Sequence, residues 1–524
     1  MTWRTYLFIG LTMALLVIIG MQIGDPTQFT AEKPQKPKKA PVADFYSLPN
    51  QITERTENTK RSTHENHPDA ISNERLISFK SESALEDFLA NAGSNIKILR
   101  RSAYGNTLKV GFRSRSDLDG LTNDADVLLN FPVSPPVLEN GLLAPGAEGF
   151  NGRMREWMGI NGDNSQWGAG LSVAVIDTGI MDHTALEGVP EISLVDLAND
   201  EGIHPHGTTM AALWREGNGN IPAIAPAVDL TSIRVAGETG VSDIFTLAEA
   251  IFVAADEGVD LITISMGAPS TNSFLDEAIT FAVDNGSVIL ASFGNNGQEL
   301  ALYPAAHQDV LGVGAIDFNN NHPGFSNFGE ELAFVAPGVE ILTAGPENSL
   351  SLSTGTSPAA QIGAAALAAF ITETGQTDIQ EAATIFTENL NELGLPDTDT
   401  VFGNGRPQMD VLLNYDTPGI FDAAIAGNLI STDESGSRLL QVVVDNPGTE
   451  TLTNAELDVT VQGQSFNSPL PSIDAKESYQ FELPIRIPAS TEQVTISSTV
   501  SVASQLEDAR PQDNAQRVVI PIGE

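Results

Sequence analysis

The chain has 524 residues, 41% of them hydrophobic, and is long enough for about three or four domains. It carries 68 acidic and 26 basic side chains, and its formal net charge of −42 argues against a nucleic-acid partner because phosphate groups would be repelled. The absence of cysteine excludes disulfide bonds, thiol catalysis and thiolate metal sites.

The amino-terminal segment contains a run of apolar residues without a charged side chain, residues 6–24. A run of this length can span the hydrocarbon core of a bilayer, so we expect residues 1–24 to be an uncleaved membrane anchor. A cleavable signal peptide is the alternative, because Gly20 and Gly24 are small enough for a cleavage site although no A-x-A pattern is present. Residues 25–73 are polar and lack apolar periodicity, and we expect a flexible linker there.

Residues 74–140 have the pattern of a small α+β domain. The predicted order is a strand, a helix, two strands, a helix and a strand, at residues 75–80, 83–92, 96–102, 107–112, 116–123 and 126–131. This β-α-β-β-α-β order is that of a ferredoxin-like unit. Residues 132–152, rich in Pro and Gly, are predicted to be a loose linker that is open to cleavage.

In residues 141–413 apolar strands alternate with helical segments, which predicts a mostly parallel sheet with helices on both faces. In such sheets the functional site lies at the carboxyl ends of the strands. The predicted strands are residues 172–176, 229–235, 260–265, 287–291 and 310–315, and the predicted helices are 245–257, 273–285 and one that begins at Ser357.

Residues 418–524 have a different pattern, in which short segments alternate apolar and polar residues between turns such as Asn446-Pro447-Gly448. This pattern is typical of an all-β, immunoglobulin-like sandwich. It contains no group of catalytic residues, so we expect a binding domain, whose ligand the sequence does not identify.

Three residues of the middle segment have the side chains that acyl transfer requires. Asp177 ends a predicted strand in VAVIDTGI, His206 stands in HPHGTTMAALW, and Ser357 opens the apolar helix GTSPAAQIGAAAL. In this chemistry the serine attacks, the histidine takes and returns its proton, and the acid orients the imidazole. Taken alone, a serine before an apolar run is more often a helix N-cap than a nucleophile.

The order of these residues separates two classes of serine hydrolase. Asp, His and Ser follow one another along this chain, whereas α/β-hydrolases have the order Ser, Asp, His. The segment around Ser357 also lacks the final glycine of the G-x-S-x-G turn. A serine esterase or lipase is therefore disfavoured.

The segments around these residues resemble those of subtilisin-like serine proteases. HGTTMAA resembles HGTHVAG, GTSPAAQIGAAAL resembles GTSMASPHVAGAAAL, and ASFGNNG resembles the segment that carries the oxyanion asparagine of that family. The resemblance covers residues 171–413, about half of the chain. It implies a serine endopeptidase that cleaves polypeptides through an acyl-enzyme and requires no cofactor, with Asp177, His206 and Ser357 as the triad and Asn295 in the oxyanion hole.

The same resemblance implies where the substrate binds. ITISMG resembles the strand that lines the cleft, which maps Ser265, Met266 and Gly267 onto substrate-binding positions, together with Gly294. Leu302 is expected to close the bottom of the specificity pocket and to favour small or medium apolar side chains.

Some residues near these motifs are assigned other roles. Asn295 could instead be a turn residue, and Asn296 is the neighbour most easily confused with it. His183 and His204 lie near motifs but are not followed by Gly-Thr at the start of a helix, so we expect them at the surface or at the edge of the cleft.

The chain departs from the family pattern at two places that matter here. The proline that follows the nucleophile by four residues in that pattern is Gln361 in this chain. The loop at residues 214–222 is shorter than the calcium-binding loop of many relatives. The resemblance therefore leaves a structural calcium open and assigns it no position.

In relatives, a ferredoxin-like propeptide precedes the catalytic domain and blocks the cleft until it is cut. The resemblance thus implies that residues 74–140 are an autocleaved inhibitor, with cleavage between Pro132 and Gly152. Such a zymogen suits an exported enzyme, so we expect the cell envelope, with the protein anchored in the membrane and facing outward or secreted after processing. The alternative function is a catalytically inactive subtilase scaffold that binds at a surface through its sandwich.

Overall fold

The computed structural model describes residues 67–118, 124–138, 147–195, 202–216, 219–396, 399–432, 438–485, 493–503 and 506–521. The predicted anchor, residues 1–24, and most of the predicted linker, residues 25–73, lie outside these ranges. Within them, no helix combines the length and the apolar character that a membrane span requires.

The amino-terminal domain is an antiparallel four-stranded sheet with one long helix. Its elements are β1 (Glu74–Phe79), α1 (Glu82–Asn91), β2 (Ile96–Arg101), β3 (Thr107–Phe112) and β4 (Ala125–Leu129). The strand order β2-β3-β1-β4 is that of the predicted ferredoxin-like unit. The side chain of Ser81 starts α1 by accepting a hydrogen bond from the backbone N–H of Ala84. In place of the predicted second helix, the described residues contain one 3₁₀ turn, Arg115–Leu118.

The start of the predicted loose linker is ordered, which corrects that prediction. β5 (Pro132–Val133) pairs antiparallel with β9 (Ser242–Asp243), and Val133 is fully buried. Ser134 then forms a further bridge with Gly267. These partners lie more than a hundred residues away in the chain, so local composition does not predict them.

The central domain contains a seven-stranded parallel sheet, which confirms the predicted α/β class. The order is β13-β12-β11-β10-β6-β8-β7. The strands are β6 (Ser172–Asp177), β7 (Glu191–Ser193), β8 (Asp229–Arg234), β10 (Leu261–Ile264), β11 (Val288–Ser292), β12 (Leu311–Ile316) and β13 (Leu332–Pro337).

Helices cover both faces of this sheet, and each face has its own apolar core. A hairpin of β14 (Ile341–Ala344) and β15 (Leu350–Ser353) precedes the central helix. The helices are α2 (Met154–Trp157), α3 (His206–Ala211), α4 (Ile244–Asp256), α5 (Ser273–Asp284), α6 (Thr356–Thr374), α7 (Ile379–Glu388) and α8 (Met409–Leu412). Helix α6 is buried from Thr356 through Ile371, as its alanine-rich sequence predicts.

The carboxyl-terminal domain is the predicted all-β sandwich of two antiparallel sheets. One sheet has the order β16-β17-β20 and the other β19-β18-β21-β22. The strands are β16 (Ala424–Thr432), β17 (Arg438–Asn446), β18 (Glu456–Val461), β19 (Gln464–Pro469), β20 (Glu477–Ile485), β21 (Gln493–Ser501) and β22 (Ala515–Pro521).

A buried group of charged residues joins the sandwich to the central domain. Nη2 of Arg510 lies 2.6 Å from Oδ2 of Asp422, and Nη1 lies 3.4 Å from Asp513 and 3.9 Å from Asp410 of the central domain. Burial raises the pKa of Asp422 to about 6 and that of Asp513 to about 7, although Arg510 opposes both shifts. The contact between the domains is therefore sensitive to protonation.

Candidate active site

An acid and a histidine meet at the carboxyl edge of the parallel sheet. Asp177 is the last residue of β6 and is fully buried, and His206 is the first residue of α3. Nδ1 of His206 lies 2.8 Å from Oδ1 and 3.0 Å from Oδ2 of Asp177. The backbone N–H of Thr178 also donates to Oδ1, at 2.7 Å. Because a carboxylate only accepts, Nδ1 carries the proton, and Nε2 of His206 is left as the base.

Ser357 lies in the first turn of α6, which packs against α3. Its hydroxyl donates to the carbonyl oxygen of Ser265 at 3.4 Å. The N-cap position belongs to Gly355, so the alternative that Ser357 serves as the N-cap is wrong. Gly355 has φ +148, and a Cβ there would lie 2.9 Å from the Asn295 amide nitrogen, so only glycine fits this turn.

Asn295 is buried beside the start of α6, and its amide is held in one orientation. Its Oδ1 accepts from the backbone N–H and the hydroxyl of Thr356, at 2.8 and 2.9 Å. Its Nδ2 donates at 2.9 Å to the carbonyl oxygen of Pro136. Both contacts of Oδ1 are with hydrogen-bond donors, which fixes the flip of the amide. Nδ2 therefore faces the cleft. An amide fixed in this way is preorganised to stabilise an oxyanion.

A segment of the chain itself lies along the substrate strand. Ser134 and Gly267 exchange two backbone hydrogen bonds, of 3.1 and 2.9 Å, in an antiparallel bridge. Pro136 follows two residues later, with its carbonyl oxygen at Asn295. Val137, the next residue, is 73% exposed. Residues 134–136 thus lie in the site in an extended conformation, as a substrate would, and the chain becomes exposed at Val137.

Leu302 stands between the two glycines predicted to line the cleft. A Cβ at Gly267 would lie 2.8 Å from Leu302, and a Cβ at Gly294 would lie 3.3 Å from it. The side chain therefore fills much of the space between these two backbone segments. By contrast, the side chains of Ser265 and Met266 are fully buried in the interior.

The two histidines near the motifs, His183 and His204, differ in their surroundings. His183 is 6% exposed, its Nδ1 accepts from the backbone N–H of Ala185, and its Nε2 lies 3.2 Å from the carbonyl oxygen of Ser349. His183, which caps a short 3₁₀ turn, is therefore not at the surface, and its position at the edge of the cleft stays a prediction. His204 lies beside His206, with ring centroids 6.4 Å apart, and burial followed by the neighbouring His206 lowers the pKa of His204.

Asn327 supports the loop that carries Asn295, and the sequence does not predict this role. Its Oδ1 accepts from the backbone N–H groups of Asn296 and Gln298, at 2.8 and 3.2 Å. Its Nδ2 donates to the carbonyl oxygen of Phe293 at 3.4 Å. A polar residue in the segment FSNFG was the available signal, but its partners are tertiary contacts.

The amino-terminal domain docks on helices α4 and α5 beside the site. Lys109 Nζ lies 2.5 Å from Oδ2 of Asp243, the N-cap of α4. Glu249 accepts hydrogen bonds from the hydroxyl of Ser102 and the backbone N–H of Ala103, and burial raises the pKa of Glu249.

Aromatic and amide contacts extend this interface. Tyr104 stacks on Phe252 with ring centroids 5.1 Å apart, and its hydroxyl donates to Asp256 at 3.2 Å. Asn272 of the central domain donates to the carbonyl oxygen of Leu129 at 2.8 Å.

Side-chain donors hold the segment that follows the loop at residues 214–222. Asn164 donates to the carbonyl oxygens of Ala223 and Ile224 at 2.9 and 2.8 Å. Arg215 donates to two further carbonyl oxygens of the same segment, at 2.7 and 2.9 Å. Across the described ranges, no group of three or more His, Cys, Asp or Glu residues is placed to hold a metal.

Comparison with known proteins gives matches that centre on this site. A family model described as "Subtilase family" matches residues 168–405. Subtilisin Savinase from Lederbergia lenta is 34% identical over 208 residues, which are 38% of this chain and 76% of that protein. Subtilisin DY from Bacillus licheniformis is 37% identical over 213 residues, which are 38% of this chain and 77% of that protein.

Two further matches differ in coverage. For the Alkaline protease from Shouchella clausii, 34% identical over 208 residues, the match spans 38% of this chain and 54% of that protein. A solved structure titled "Structure of Prenylagaramide maturation protease PagA" matches with a TM-score of 0.43 and 24% identity, over 50% of this chain and 97% of that one. The family match leaves out residues 74–140 and 418–524.

Proposed function

The chain belongs to the subtilase family and is a serine endopeptidase, and on this premise we propose that it is a zymogen which cuts off its own amino-terminal domain. The observation that carries the proposal is the contact between Asn295 and the carbonyl oxygen of Pro136. A carbonyl held by the oxyanion donor is the one that the nucleophile attacks. The bond assigned for cleavage is therefore Pro136–Val137.

The residues around this bond define the roles in the reaction. Ser357 attacks the carbonyl carbon of Pro136 while Nε2 of His206 takes the hydroxyl proton, and Asp177 stabilises the resulting imidazolium. The oxyanion is held by Asn295 and by the backbone N–H of Ser357 at the helix terminus. His206 then returns the proton to the leaving nitrogen of Val137, and water hydrolyses the acyl-enzyme.

The amino-terminal domain, residues 74–136, is proposed to act as the inhibitor of the mature enzyme. Its polar contacts to Asp243, Glu249 and Asp256 are independent of the cleaved bond. Its apolar residues Leu76, Phe131 and Val133 belong to the same buried core as α4 and the sheet. We therefore expect this domain to stay bound after the cut and to keep the cleft filled.

The pocket beside Leu302 is proposed to accept small or medium apolar side chains. Proline at position 136 is consistent with this preference, because its ring is compact. The natural substrates are proposed to be polypeptides with such a residue before the scissile bond.

We propose that the amino-terminal end of the chain attaches the protein to a membrane and that the carboxyl-terminal sandwich binds a ligand. Residues 1–24 would hold the zymogen at a membrane with its enzyme domain outside, and the enzyme domain would leave the membrane only after cleavage at Pro136 and dissociation of the cut amino-terminal domain. The sandwich would bind a ligand that stays unidentified.

The test uses the full chain and its Ser357→Ala variant, with intact mass, amino-terminal sequencing and digestion of casein as readouts. We expect the enzyme domain of the wild type to begin at Val137 and to digest casein once the cut amino-terminal domain has been removed, and the variant to stay uncut and inactive. A new terminus elsewhere would overturn the assigned bond. If neither protein is cut and neither digests casein, the inactive-scaffold alternative holds.

A further inference from the structure

Helix α6 carries one polar side chain between Ser357 and Thr372, and this residue is Gln361. Gln361 is fully buried, one helical turn after the nucleophile. Its Oε1 accepts from the indole N–H of Trp214 at 2.7 Å and from the hydroxyl of Thr263 at 3.0 Å. Its Nε2 donates to the hydroxyl of Ser265 at 2.9 Å. The amide thus contacts three different segments of the core.

The contacts of Gln361 continue to the nucleophile itself. The hydroxyl of Ser265 donates at 3.0 Å to the main-chain carbonyl oxygen of Ser357. The hydroxyl of Ser357 donates in the opposite direction, to the carbonyl oxygen of Ser265, at 3.4 Å. Gln361, Ser265 and Ser357 therefore form a continuous hydrogen-bonded path in the interior.

The same path includes the segment that carries the histidine. Trp214 ends the 3₁₀ helix Ala212–Trp214, which continues directly from α3, whose first residue is His206. Thr263 belongs to β10, whose extension at residues 265–267 lines the cleft. The side-chain amide of Gln361 thus connects the start of α6 to the helical segment that follows His206 and to the strand whose extension lines the cleft.

The chemistry of the surrounding helix explains why such an amide matters. Most of its neighbours in α6 are alanine, whose small apolar side chains make no directional contacts. Hydrogen bonds between buried neutral groups are directional, and breaking one leaves an unpaired group in the core. The proline of the family pattern at this position has no side-chain donor or acceptor, so the path is a property of this chain.

We propose that Gln361 is a positioning residue for acyl transfer, which holds Ser357 in register with His206 and with the substrate strand. The inference rests on the proposed function of Ser357 as the nucleophile. Gln361 touches neither substrate nor reacting atoms in this scheme. It acts through Ser265 on one side and through Trp214 on the other.

The test compares Gln361→Met with a control elsewhere in the core. Methionine keeps the length of the side chain but cannot hydrogen-bond in this way. We expect kcat for a peptide amide to fall about ten-fold with KM changed less than about two-fold, because a displaced nucleophile affects the chemical step. The rate of inactivation by a fluorophosphonate, which reacts with the serine, should fall in parallel.

The matched control is Thr387→Val, which removes a buried hydroxyl that bonds within α7 to the carbonyl oxygen of Ala383. Both variants should lower the Tm, and only Gln361→Met should lower kcat. A Gln361→Met enzyme with wild-type kcat and wild-type fluorophosphonate reactivity would overturn the proposal and leave Gln361 a structural role alone.

Ser265→Ala provides a second variant if Gln361→Met does not fold. It removes both the acceptor of Gln361 Nε2 and the donor to the carbonyl oxygen of Ser357, so kcat should fall by a similar factor, and normal turnover in this variant would overturn the proposal. Where both variants fold, the effects in the double variant should be less than additive, because they break one path. A wild-type chain that does not react with the fluorophosphonate would contradict the proposed nucleophile instead.

Discussion

The side-chain amide of Asn295 donates a hydrogen bond to the carbonyl oxygen of Pro136 over a distance of 2.9 Å. The two residues lie in different domains, and the contact is made by the one atom of the amide that Thr356 leaves available. The amide that we propose as an oxyanion donor is thus hydrogen-bonded to a peptide carbonyl oxygen of the same chain. Through this contact, the segment that follows the docked amino-terminal domain reaches the candidate active site.

Asn295→Asp tests the donor without removing the acceptor. The carboxylate can still accept from Thr356, but it places negative charge where the oxyanion forms. We expect kcat to fall by about 10²–10³, the range already known for loss of this donor in a subtilisin, with little change in KM. Steady-state kinetics on a peptide amide measures this. Asn296→Asp is the matched control and should retain more than about a third of wild-type kcat; equal losses in both variants would remove Asn295 from the role.

Leu302→Ala tests the specificity pocket. Removing the side chain between Gly267 and Gly294 opens space, so kcat/KM for phenylalanine before the scissile bond should rise about ten-fold relative to alanine. The measurement is a peptide series varied at that one position. Leu300→Ala, at an exposed residue two positions earlier, should leave the ratio unchanged. A wild-type enzyme that prefers Lys or Arg would contradict the assignment.

Glu249→Gln tests how pH acts on release of the amino-terminal domain. Burial raises the pKa of Glu249 above its ordinary 4.5, so the docked state holds a proton that the released state gives up. Retention of the cut domain should therefore be strongest at acidic pH and weaken as pH rises from 4.5 through the raised pKa. Glutamine can still accept from Ser102 but does not titrate, so its profile should be flatter.

The readout for this variant is the fraction of cut domain that stays with the enzyme in gel filtration across pH. Glu257→Gln, at an exposed position just after α4, serves as the control and should follow the wild type. Parallel profiles for the wild type and Glu249→Gln would rule out this carboxyl as the titrating group.

Asp513→Asn tests the junction between the central domain and the sandwich. Its pKa is raised to about 7 from 3.8, so the folded protein keeps a proton that the unfolded chain has lost. The free energy of unfolding should fall as pH rises from 3.8 to about 7, by up to about 1.4 kcal/mol per unit for this group, and the asparagine variant should lack that slope. Chemical denaturation across this range measures the difference. Asp416→Asn, at an exposed site, should follow the wild type, whereas a wild-type slope in Asp513→Asn would exclude this carboxyl.

The sequence predicts five of the seven strands of the parallel sheet, because these five are continuous apolar runs. β13 (Leu332–Pro337) was missed although it is buried throughout. β7 (Glu191–Ser193) was missed because it has only three residues, and β16 because a bulge between Ile425 and Gly427 breaks its alternation. β19 was missed because it is a polar edge strand that ends in proline. These strands depend on their partners more than on their own pattern.

The residue types of the site were predictable from motifs, but the contacts that hold them were not. The sequence places an asparagine near residue 295 without showing that Thr356 fixes its amide. It shows a glutamine at 361 in an apolar helix without indicating Trp214, which lies 147 positions earlier. Such contacts join segments that are distant in sequence, and no local periodicity encodes them.

The hydrogen bond between Asn295 and Pro136 also has a consequence for the kinetic order of the proposed cleavage at Pro136–Val137. Downstream of the bond, Phe150 donates to the carbonyl oxygen of Val339 at 2.9 Å, so the same polypeptide is attached to the enzyme on both sides of its own substrate segment. The effective concentration of this bond at Ser357 is set by the fold and does not change with dilution. If the chain cuts itself as proposed, maturation will be a first-order event whose half-life is the same in dilute and concentrated protein, whereas the digestion of other proteins will depend on encounter.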